Sequence, residues 1–322
     1  MAWSDVRGHE LTKRVLQAQL AAGRVPNAYL FAGPEGIGKR RLALEMAKAM
    51  NCLSDGSRPC DACTTCKQFA REAHPDLHLV VPSGASEQIK IDDVRQVIGR
   101  VQLRPFNARL QVAVIDGADR LTDEAANSLL KVLEEPPAGA RFLLTTSRLA
   151  FCLPTITSRC QILRCMPLSS PDVQSLLVEQ GVDQATAASV APLAGGSVKA
   201  AQELLERWED RRRIASRLAG PPIAGWFEQP LPETRQDVAE LLEEMTAWLR
   251  DLAVIGAAGP SHAAHRDHAE TLVRQSRAID VERCVQTAME LVELRESLQR
   301  YANPRVVASL AREKWLSLVG TS

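Results

Sequence analysis

The chain has 322 residues, of which 45% are apolar and 24% charged, with 39 basic and 39 acidic side chains. This length favours two or three domains, and a formal net charge of zero argues against a protein that binds nucleic acid alone over a large surface. No apolar run is long enough to span a bilayer, and the N-terminus lacks a signal-peptide pattern, so we expect a cytoplasmic protein.

Strand and helix patterns alternate over the first 165 residues. Short apolar runs predict five strands, at 29–32, 77–81, 112–115, 141–146 and 161–163. Between the third and fourth strands, Thr122 is the expected N-cap of a helix over 123–135, which Pro136 ends. Strands that alternate with helices predict a parallel sheet covered on both faces.

A glycine-rich turn follows the first strand, and residues 33–40 read GPEGIGKR. Gly33, Gly36 and Gly38 allow the backbone to curl so that N–H groups point at phosphate oxygens, and Lys39 is placed to reach the terminal phosphates. The next position of such a loop needs a Ser or Thr hydroxyl for Mg²⁺. Arg40 stands there instead, and a guanidinium has no lone pair and repels a dication. We therefore expect a phosphate-binding loop without its metal ligand.

Four cysteines lie between this loop and the second strand, at Cys52, Cys60, Cys63 and Cys66. Four thiolates at this spacing favour a tetrahedral Zn²⁺ that has no open position and is therefore structural. An iron–sulfur cluster accepts similar spacing, and unrelated free cysteines are the remaining alternative.

The third strand ends at Asp116, which is followed by Gly117. A working ATPase site needs Asp for the Mg²⁺ shell and then Glu to orient the attacking water. Glycine supplies no such group, and we interpret Asp119 as a turn or cap residue. Because positions 40 and 117 both lack the required groups, we expect no ATP hydrolysis by this chain.

After residue 166 the strand patterns end. Residues 168–206 predict a small helical unit, in which a Gly-Gly-Ser turn at 195–197 precedes a helix near Lys199. The stretch 220–233 breaks the helices, and four long amphipathic helices follow, at 234–257, 264–278, 281–300 and 304–318. We therefore predict three domains: 1–166 with the cysteine module at 52–66, a helical lid at 167–208, and a helical collar or oligomerisation domain at 209–322.

Together these motifs resemble the AAA+ clamp-loader family of bacterial DNA polymerase III, and most closely its non-hydrolysing type of subunit. The resemblance covers nearly the whole chain and is carried by four motifs: NAYLFAGPEGIGK (27–39), the four-cysteine insert, DGADRLTDEAANSLLKVLEEPP (116–137) and TSRC (157–160). It implies an α/β P-loop AAA+ domain with a parallel sheet and a zinc insert, followed by a small helical lid and an all-α collar.

The resemblance also implies roles for single residues. Arg159, within Ser158-Arg159-Cys160, would be an arginine finger that enters the ATP site of the adjacent motor subunit. Thr146 lies where the family places its sensor of the terminal phosphate. Lys199 matches the second sensor, where active motors have Arg, and Lys cannot reproduce a bidentate guanidinium contact. A further basic stretch is interpreted as a solvated helix face rather than a DNA contact, and it comprises Arg95, Arg100, Arg104 and Arg109.

The function implied is that of a stator that completes a ring, helps to open the sliding clamp and triggers hydrolysis in a neighbouring subunit. The expected partners are tau/gamma motor subunits and a delta subunit in a heteropentamer, with clamp and primed DNA reached through the complex and no membrane. The chain would then be no enzyme itself but part of a DNA-directed DNA polymerase assembly. We expect one structural zinc and no Mg²⁺, and the sequence leaves ATP binding at the loop open.

Two alternatives remain. An ATP-hydrolysing tau/gamma-type motor subunit would need Ser or Thr at position 40 and Glu at position 117. A zinc-stabilised DNA-binding module that acts alone is disfavoured by the zero net charge and by an aromatic content of 4%.

Overall fold

The structure, a computed structural model, describes residue 3 and residues 6–54, 56, 58–84, 86–220, 226 and 230–319. Most of the expected helix break at 220–233 lies outside the described residues. The chain forms two compact units. The first comprises Met1–Leu176 and Gly195–Ala200, and the second comprises Leu177–Ala194 and Ala201–Ser322. The division into three domains stays a prediction.

The first unit is built on a sheet of five parallel strands in the order β2-β3-β4-β1-β5. The strands are β1 (Ala28–Ala32), β2 (Leu77–Val80), β3 (Gln111–Asp116), β4 (Ala140–Thr146) and β5 (Gln161–Arg164). All five residues of β1 are buried, as expected for a strand that is covered on both faces. Each of the five strands predicted from the apolar runs is confirmed.

The strand order determines which loops meet at one edge of the sheet. β1 pairs with β4 in a register that places Ala32 opposite Thr146. β3 pairs with β4 so that Asp116 lies opposite Thr145. The carboxyl ends of parallel strands form the usual ligand-binding edge of an open α/β sheet. The glycine-rich loop after β1 therefore lies beside the ends of the strands that carry Asp116 and Thr146.

Helices cover both faces of this sheet. They are α1 (Glu10–Ala21), α2 (Lys39–Asn51), α3 (Thr64–Ala70), α4 (Ile91–Val101), α5 (Asp123–Glu134) and α6 (Pro154–Thr157). Leu42 and Met46 of α2 pack on one face, and Leu129 of α5 packs on the other. The Thr122 side chain accepts a hydrogen bond from Ala125 N–H at the start of α5, which confirms the predicted N-cap. The predicted fold class is confirmed.

The remaining helices are α7 (Ser170–Glu179), α8 (Gln184–Leu193), α9 (Val198–Glu206), α10 (Trp208–Ala219), α11 (Arg235–Ala258), α12 (Ala269–Ser276), α13 (Val281–Gln299) and α14 (Pro304–Val319). The core of the second unit contains the buried rings of Trp226, Trp248 and Trp315. Within the described part of the chain, no helix combines the length and the apolar character required to cross a membrane.

One helix of the second unit begins later than the predicted helix at 264–278. The buried carboxylate of Asp251 accepts hydrogen bonds from Ala264 N–H at 2.9 Å and from His265 N–H at 2.8 Å. These N–H groups sit in an irregular segment, and α12 starts only at Ala269. The prediction was wrong at this end because an acceptor that is distant in the sequence fixes the backbone there.

Candidate functional site: a phosphate loop without a metal ligand

The loop at 33–38 connects β1 to α2 and depends on its glycines. Gly36 and Gly38 have φ angles of 73° and 95°, which side chains disfavour. A Cβ at Gly33 would lie 2.3 Å from the carbonyl oxygen of Cys165. Gly33 N–H donates to Thr146 O at 3.2 Å. The loop is therefore tightly curled between two strand ends, at the positions that the glycine pattern predicts.

Lys39 is the first residue of α2 and folds back over the loop. Its Nζ donates to the carbonyl oxygen of Pro34 at 2.6 Å, and the residue is only 8% exposed. Burial lowers the pKa of the Lys39 ammonium. The structure thus places a buried cation against the loop.

Arg40 points to a carboxylate in another segment. Its guanidinium lies 2.5 Å from Oε2 of Glu72, a residue that follows α3. The Arg40 guanidinium is therefore held by Glu72, and its charge is not free to repel a dication at the loop. Residue 40 supplies no metal ligand because arginine has no lone pair, and its charge is paired with Glu72.

Asp116 is held by its neighbour on β4. The Thr145 hydroxyl donates to Asp116 Oδ1 at 2.6 Å and accepts from Gly117 N–H at 3.0 Å. Gly117 has a φ of 106°, and a Cβ there would lie 3.3 Å from Pro82. A glutamate at position 117 would be strained in this backbone, so the local structure itself disfavours the residue that hydrolysis requires.

Asp119 is a buried hydrogen-bond acceptor that fixes the turn after β4, in keeping with its interpretation as a turn residue. Its carboxylate accepts from the Thr146 hydroxyl at 2.9 Å, from Ser147 N–H at 3.2 Å and from the Ser147 hydroxyl at 2.9 Å. Burial alone would raise the pKa of Asp119, but the hydrogen bonds from Ser147 and Thr146 outweigh it and lower the pKa. The hydroxyl of Thr146, a predicted sensor, therefore donates to Asp119.

The segment of the second predicted sensor contacts the loop directly. Lys199 Nζ lies 2.9 Å from Oε1 of Glu35, and Val198 N–H donates to Gly36 O at 2.9 Å. Lys199 and the phosphate loop, which are remote in the sequence, are thus brought together.

Two further residues at this loop were missed by the sequence analysis. Arg120 Nη2 lies 3.0 Å from Glu35 Oε1, and His9 Nε2 lies 2.8 Å from the carbonyl oxygen of Ile37. Arg120 lies within the motif at 116–137, where we assigned it no role, and His9 lies outside the four motifs. Their contacts with the loop come from the tertiary structure alone.

Arg159 follows α6. Its guanidinium contacts residues of α5 and the α6 segment rather than the phosphate loop of the same chain. Its guanidinium pairs with Glu134 at the end of α5, and donates to Thr155 O at 3.0 Å and to the Ser158 hydroxyl at 3.2 Å. The side chain is 33% exposed. Arg159 and Ser158 therefore form a surface feature that is tied to α5 and α6.

The four cysteines of the insert converge on one point. Their Sγ atoms all lie within 4.8 Å of one another, and a tetrahedral ion about 2.3 Å from each sulfur requires S···S distances of about 3.8 Å. Cys60 N–H donates to Cys52 Sγ, and Cys66 N–H donates to Cys63 Sγ. Backbone hydrogen bonds from Cys63 and Ala62 lower the pKa of Cys60 to about 6, whereas burial raises that of Cys66. The residues present fit a soft metal ion held by four thiolates.

Several known proteins are similar to this chain. The DNA polymerase III subunit delta' of Bacillus subtilis is 37% identical over 185 residues, which cover 56% of this chain and 55% of that protein. The DNA polymerase III subunit tau of Escherichia coli is 36% identical over 159 residues, or 49% of this chain and 24% of that protein. The chain thus spans about half the length of this delta' subunit and about a quarter of the length of this tau subunit.

One solved structure and one family model also match this chain. A DNA polymerase III gamma subunit-related protein from Thermotoga maritima aligns with 93% of this chain and 99% of its own, at 19% identity and a TM-score of 0.45. The family model described as "DNA polymerase III, delta subunit" matches residues 8–169, half of the chain, including the phosphate loop, the cysteine insert and Arg159. The chain therefore belongs to this DNA polymerase III subunit family, which confirms the resemblance to clamp-loader subunits drawn from its motifs.

Proposed function

We propose that this chain is the delta-prime type of subunit in a DNA polymerase III clamp loader and does not hydrolyse ATP. It completes a ring with tau/gamma motor subunits and a delta subunit. It lends Arg159 to the ATP site of the neighbouring motor and helps to load the sliding clamp onto primed DNA. The subunit delta' of Bacillus subtilis, at 37% identity, supports this assignment.

The proposal rests on residues 40 and 117, which lack the groups that ATP hydrolysis requires. Arg40 offers no oxygen to Mg²⁺ and is paired with Glu72. Gly117 adopts a backbone conformation that a glutamate would find strained. Phosphoryl transfer to water needs both a metal and a group that orients the water. The loop can therefore contact phosphate while providing neither a metal ligand at residue 40 nor a water-orienting group at residue 117.

The surface position of Arg159 supports a role in a neighbouring subunit. An arginine that reaches a phosphoryl group from outside the site is worth about 10³–10⁵ in rate. The pair with Glu134 is partly exposed, and exposed pairs contribute only about 0–1 kcal/mol. Breaking the ion pair with Glu134 to bind a phosphate of the neighbouring subunit therefore costs little. The short helix α6 keeps the Arg159 guanidinium at the surface of the first unit.

The four-cysteine cluster supports one structural zinc per chain. All four ligand positions are filled by sulfur, so no open position remains for a catalytic water. Zinc supplies folding energy in such a site rather than chemistry.

A motor subunit is the second candidate, because the chain is also 36% identical to tau of Escherichia coli over 159 residues. That identity is nearly the same as the 37% shared with the delta' subunit, so it does not distinguish the two candidates. The two candidates differ in one measurable property, which is ATP turnover by the isolated chain.

The test compares ATPase rates in the isolated chain and in the complex reconstituted with motor and delta subunits. We expect no Mg–ATP turnover by the isolated chain. We expect Arg159→Ala to leave assembly intact and to slow the neighbouring site by roughly 10³, so that the clamp- and DNA-stimulated rate falls to what the other sites supply.

The matched control is Arg213→Ala, which removes an exposed arginine paired with Asp210 in α10 and should leave the rate unchanged. An unchanged rate in the Arg159 variant would remove the finger role. Turnover by the isolated chain that Lys39→Ala abolishes would favour the motor instead.

A further inference from the structure

Glu35, within the phosphate loop, holds two cations that come from other parts of the first unit. Lys199 Nζ lies 2.9 Å from Glu35 Oε1, and Arg120 Nη2 lies 3.0 Å from the same oxygen. The other guanidinium nitrogen of Arg120 lies 2.6 Å from Glu87 Oε2. The hydrogen bond from Lys199 lowers the pKa of Glu35, so the carboxylate is charged at neutral pH. Two cations thus converge on one carboxylate of the loop.

The segment that carries Lys199 is packed against the loop. Val198 N–H donates to Gly36 O at 2.9 Å. A Cβ at Gly36 would lie 2.3 Å from Ser197 Oγ and 2.5 Å from Lys199 Cβ, closer than side-chain atoms can approach. The absence of a side chain at Gly36 therefore allows this contact. The ion pair of Glu35 with Lys199 and the adjacent backbone hydrogen bond together hold the segment on the loop.

The loop itself keeps the shape that binds phosphate. The positive φ angles of Gly36 and Gly38 turn backbone N–H groups into a concave arrangement that favours anions. Gly38 is also the N-cap of α2, where the positive end of the helix dipole lies. An anion in this loop would attract the ammonium group of Lys199, which Glu35 now holds.

We propose that Glu35 is an internal competitor for phosphate, which closes the Lys199 segment on the loop until a phosphoanhydride displaces its carboxylate. This inference rests on the proposed loss of hydrolysis, since a loop that only binds can be regulated by such a contact. The ligand class is a nucleoside diphosphate or pyrophosphate bound without magnesium. The loop would then report the presence of nucleotide through the position of the segment rather than through turnover.

The expected effect is modest because the pair is exposed. The side chains of Glu35 and Lys199 are about half exposed, and exposed ion pairs are weak. Breaking the contact should therefore tighten the binding of ADP by roughly 2–5-fold. A larger effect would require a buried pair, which this is not.

The first test is calorimetric titration of the full chain with ADP and with pyrophosphate. Magnesium is omitted rather than chelated, because a chelator would also strip metal from the cysteine cluster. We expect Glu35→Gln to bind both ligands roughly 2–5-fold more tightly than the unaltered chain. Glu87→Gln is the matched control, since it removes a carboxylate from the same Arg120 without touching the loop, and its affinity should equal that of the unaltered chain.

The second test is a double-mutant cycle with Lys199→Met. If Glu35 acts by holding Lys199, the gain from Glu35→Gln should shrink toward none in the Lys199→Met background. A gain of the same size in both backgrounds would show a general charge effect and would overturn the proposal. Three other outcomes would also overturn the proposal. Glu35→Gln could bind with the same affinity as the unaltered chain, Glu87→Gln could show an equal gain in affinity, or no variant could bind either ligand.

Amide hydrogen exchange provides a readout that needs no ligand. The Val198 N–H bond to Gly36 O holds the segment on the loop, so Glu35→Gln should speed the exchange of this amide by roughly 2–5-fold. An unchanged exchange rate would contradict the closing role. Magnesium–ATP turnover by the unaltered chain would overturn the proposed function, on which this inference rests. None of the three tests here involves hydrolysis, so their failure without turnover would overturn this inference alone.

Discussion

At the scale of single residues, a buried histidine in the second unit is held between two carboxylates. His265 Nδ1 lies 2.8 Å from Asp251 Oδ2, and its Nε2 lies 2.7 Å from Glu244 Oε1. Arg211 also pairs with Glu244. Burial lowers the pKa of His265, but the hydrogen bonds and charges of the two carboxylates outweigh it and raise the pKa to about 9. The imidazolium therefore compensates buried negative charge, as such sites require.

This geometry predicts how stability depends on pH. Because the folded-state pKa of His265 is raised above its usual 6.5, its contribution is fully present below about pH 6.5 and is lost as the pH rises through about 9. We expect His265→Gln to lower the free energy of unfolding by about 3 kcal/mol at pH 6, with a smaller difference at pH 10.

Urea denaturation at several pH values, followed by tryptophan fluorescence, measures that difference. The matched control is His262→Gln, an exposed histidine of the same segment, which should change little at any pH. A difference between the unaltered chain and His265→Gln that stays constant from pH 6 to pH 10 would refute the assigned charge.

At the scale of elements, the cysteine insert is connected to the phosphate loop through α2 and α3. Cys63 is the N-cap of α3 and its side chain accepts from Cys66 N–H. Glu72, just after α3, pairs with Arg40 in the first turn of α2. Lys48 of α2, which is buried, pairs with Asp61 of the insert. A metal at the cysteines would therefore fix the segment that holds Arg40.

We expect one zinc per chain and a loss of stability when it is removed. Cys63→Ser should abolish stoichiometric zinc and lower the Tm of the first unit by about 4–8 °C, the shift that corresponds to a loss of about 2 kcal/mol in a domain of this size. Elemental analysis and calorimetry provide the two measurements.

Cys284→Ser is the control, because Cys284 is buried in the second unit and lies outside the cluster. It should retain zinc. Freshly purified chain without zinc, or an unchanged Tm for the first unit in Cys63→Ser, would exclude a structural metal at these cysteines.

The strands and several of the helices follow from local pattern. Apolar runs of three to six residues mark the five strands, of which β1, β3 and β4 are almost entirely buried. Thr122 and Pro136 mark the ends of α5 as their chemistry requires. The exception is α12. Its predicted start at residue 264 lies in a segment whose N–H groups bond to Asp251, and periodicity does not detect such an acceptor.

At the scale of the whole molecule, the proposed assembly into a ring needs exposed apolar surface, and the second unit provides some. A groove of about 790 Å³ lies between α11 and α13. Val285, Met289 and Val292 of α13 line it and are substantially exposed, with Met289 63% exposed. Exposed apolar patches of this kind mark interaction sites. The groove supports the proposal that the C-terminal helices pack against partner subunits.

We expect Met289→Asp to weaken assembly with motor and delta subunits. A charge in the centre of an apolar contact is costly to bury, and loss of such an anchor reduces affinity by roughly 10–100-fold. Gel filtration of the mixed subunits at micromolar concentration measures the fraction of chain in the complex.

The matched control is Val306→Asp, since Val306 is 55% exposed on α14 and lies outside the groove. It should co-elute as the unaltered chain does. Normal assembly of Met289→Asp would show that partners bind elsewhere.

The sequence by itself determined the features that depend on neighbouring residues or fixed spacing. These are the strands, the glycine loop, the cysteine cluster and the missing groups at positions 40 and 117. Only the tertiary structure decided which charges meet: Arg40 with Glu72, Lys199 with Glu35, and Arg159 with Glu134. The reason is physical, because every arginine in a sequence has many carboxylates available, and only the folded chain brings a particular one within a few ångströms.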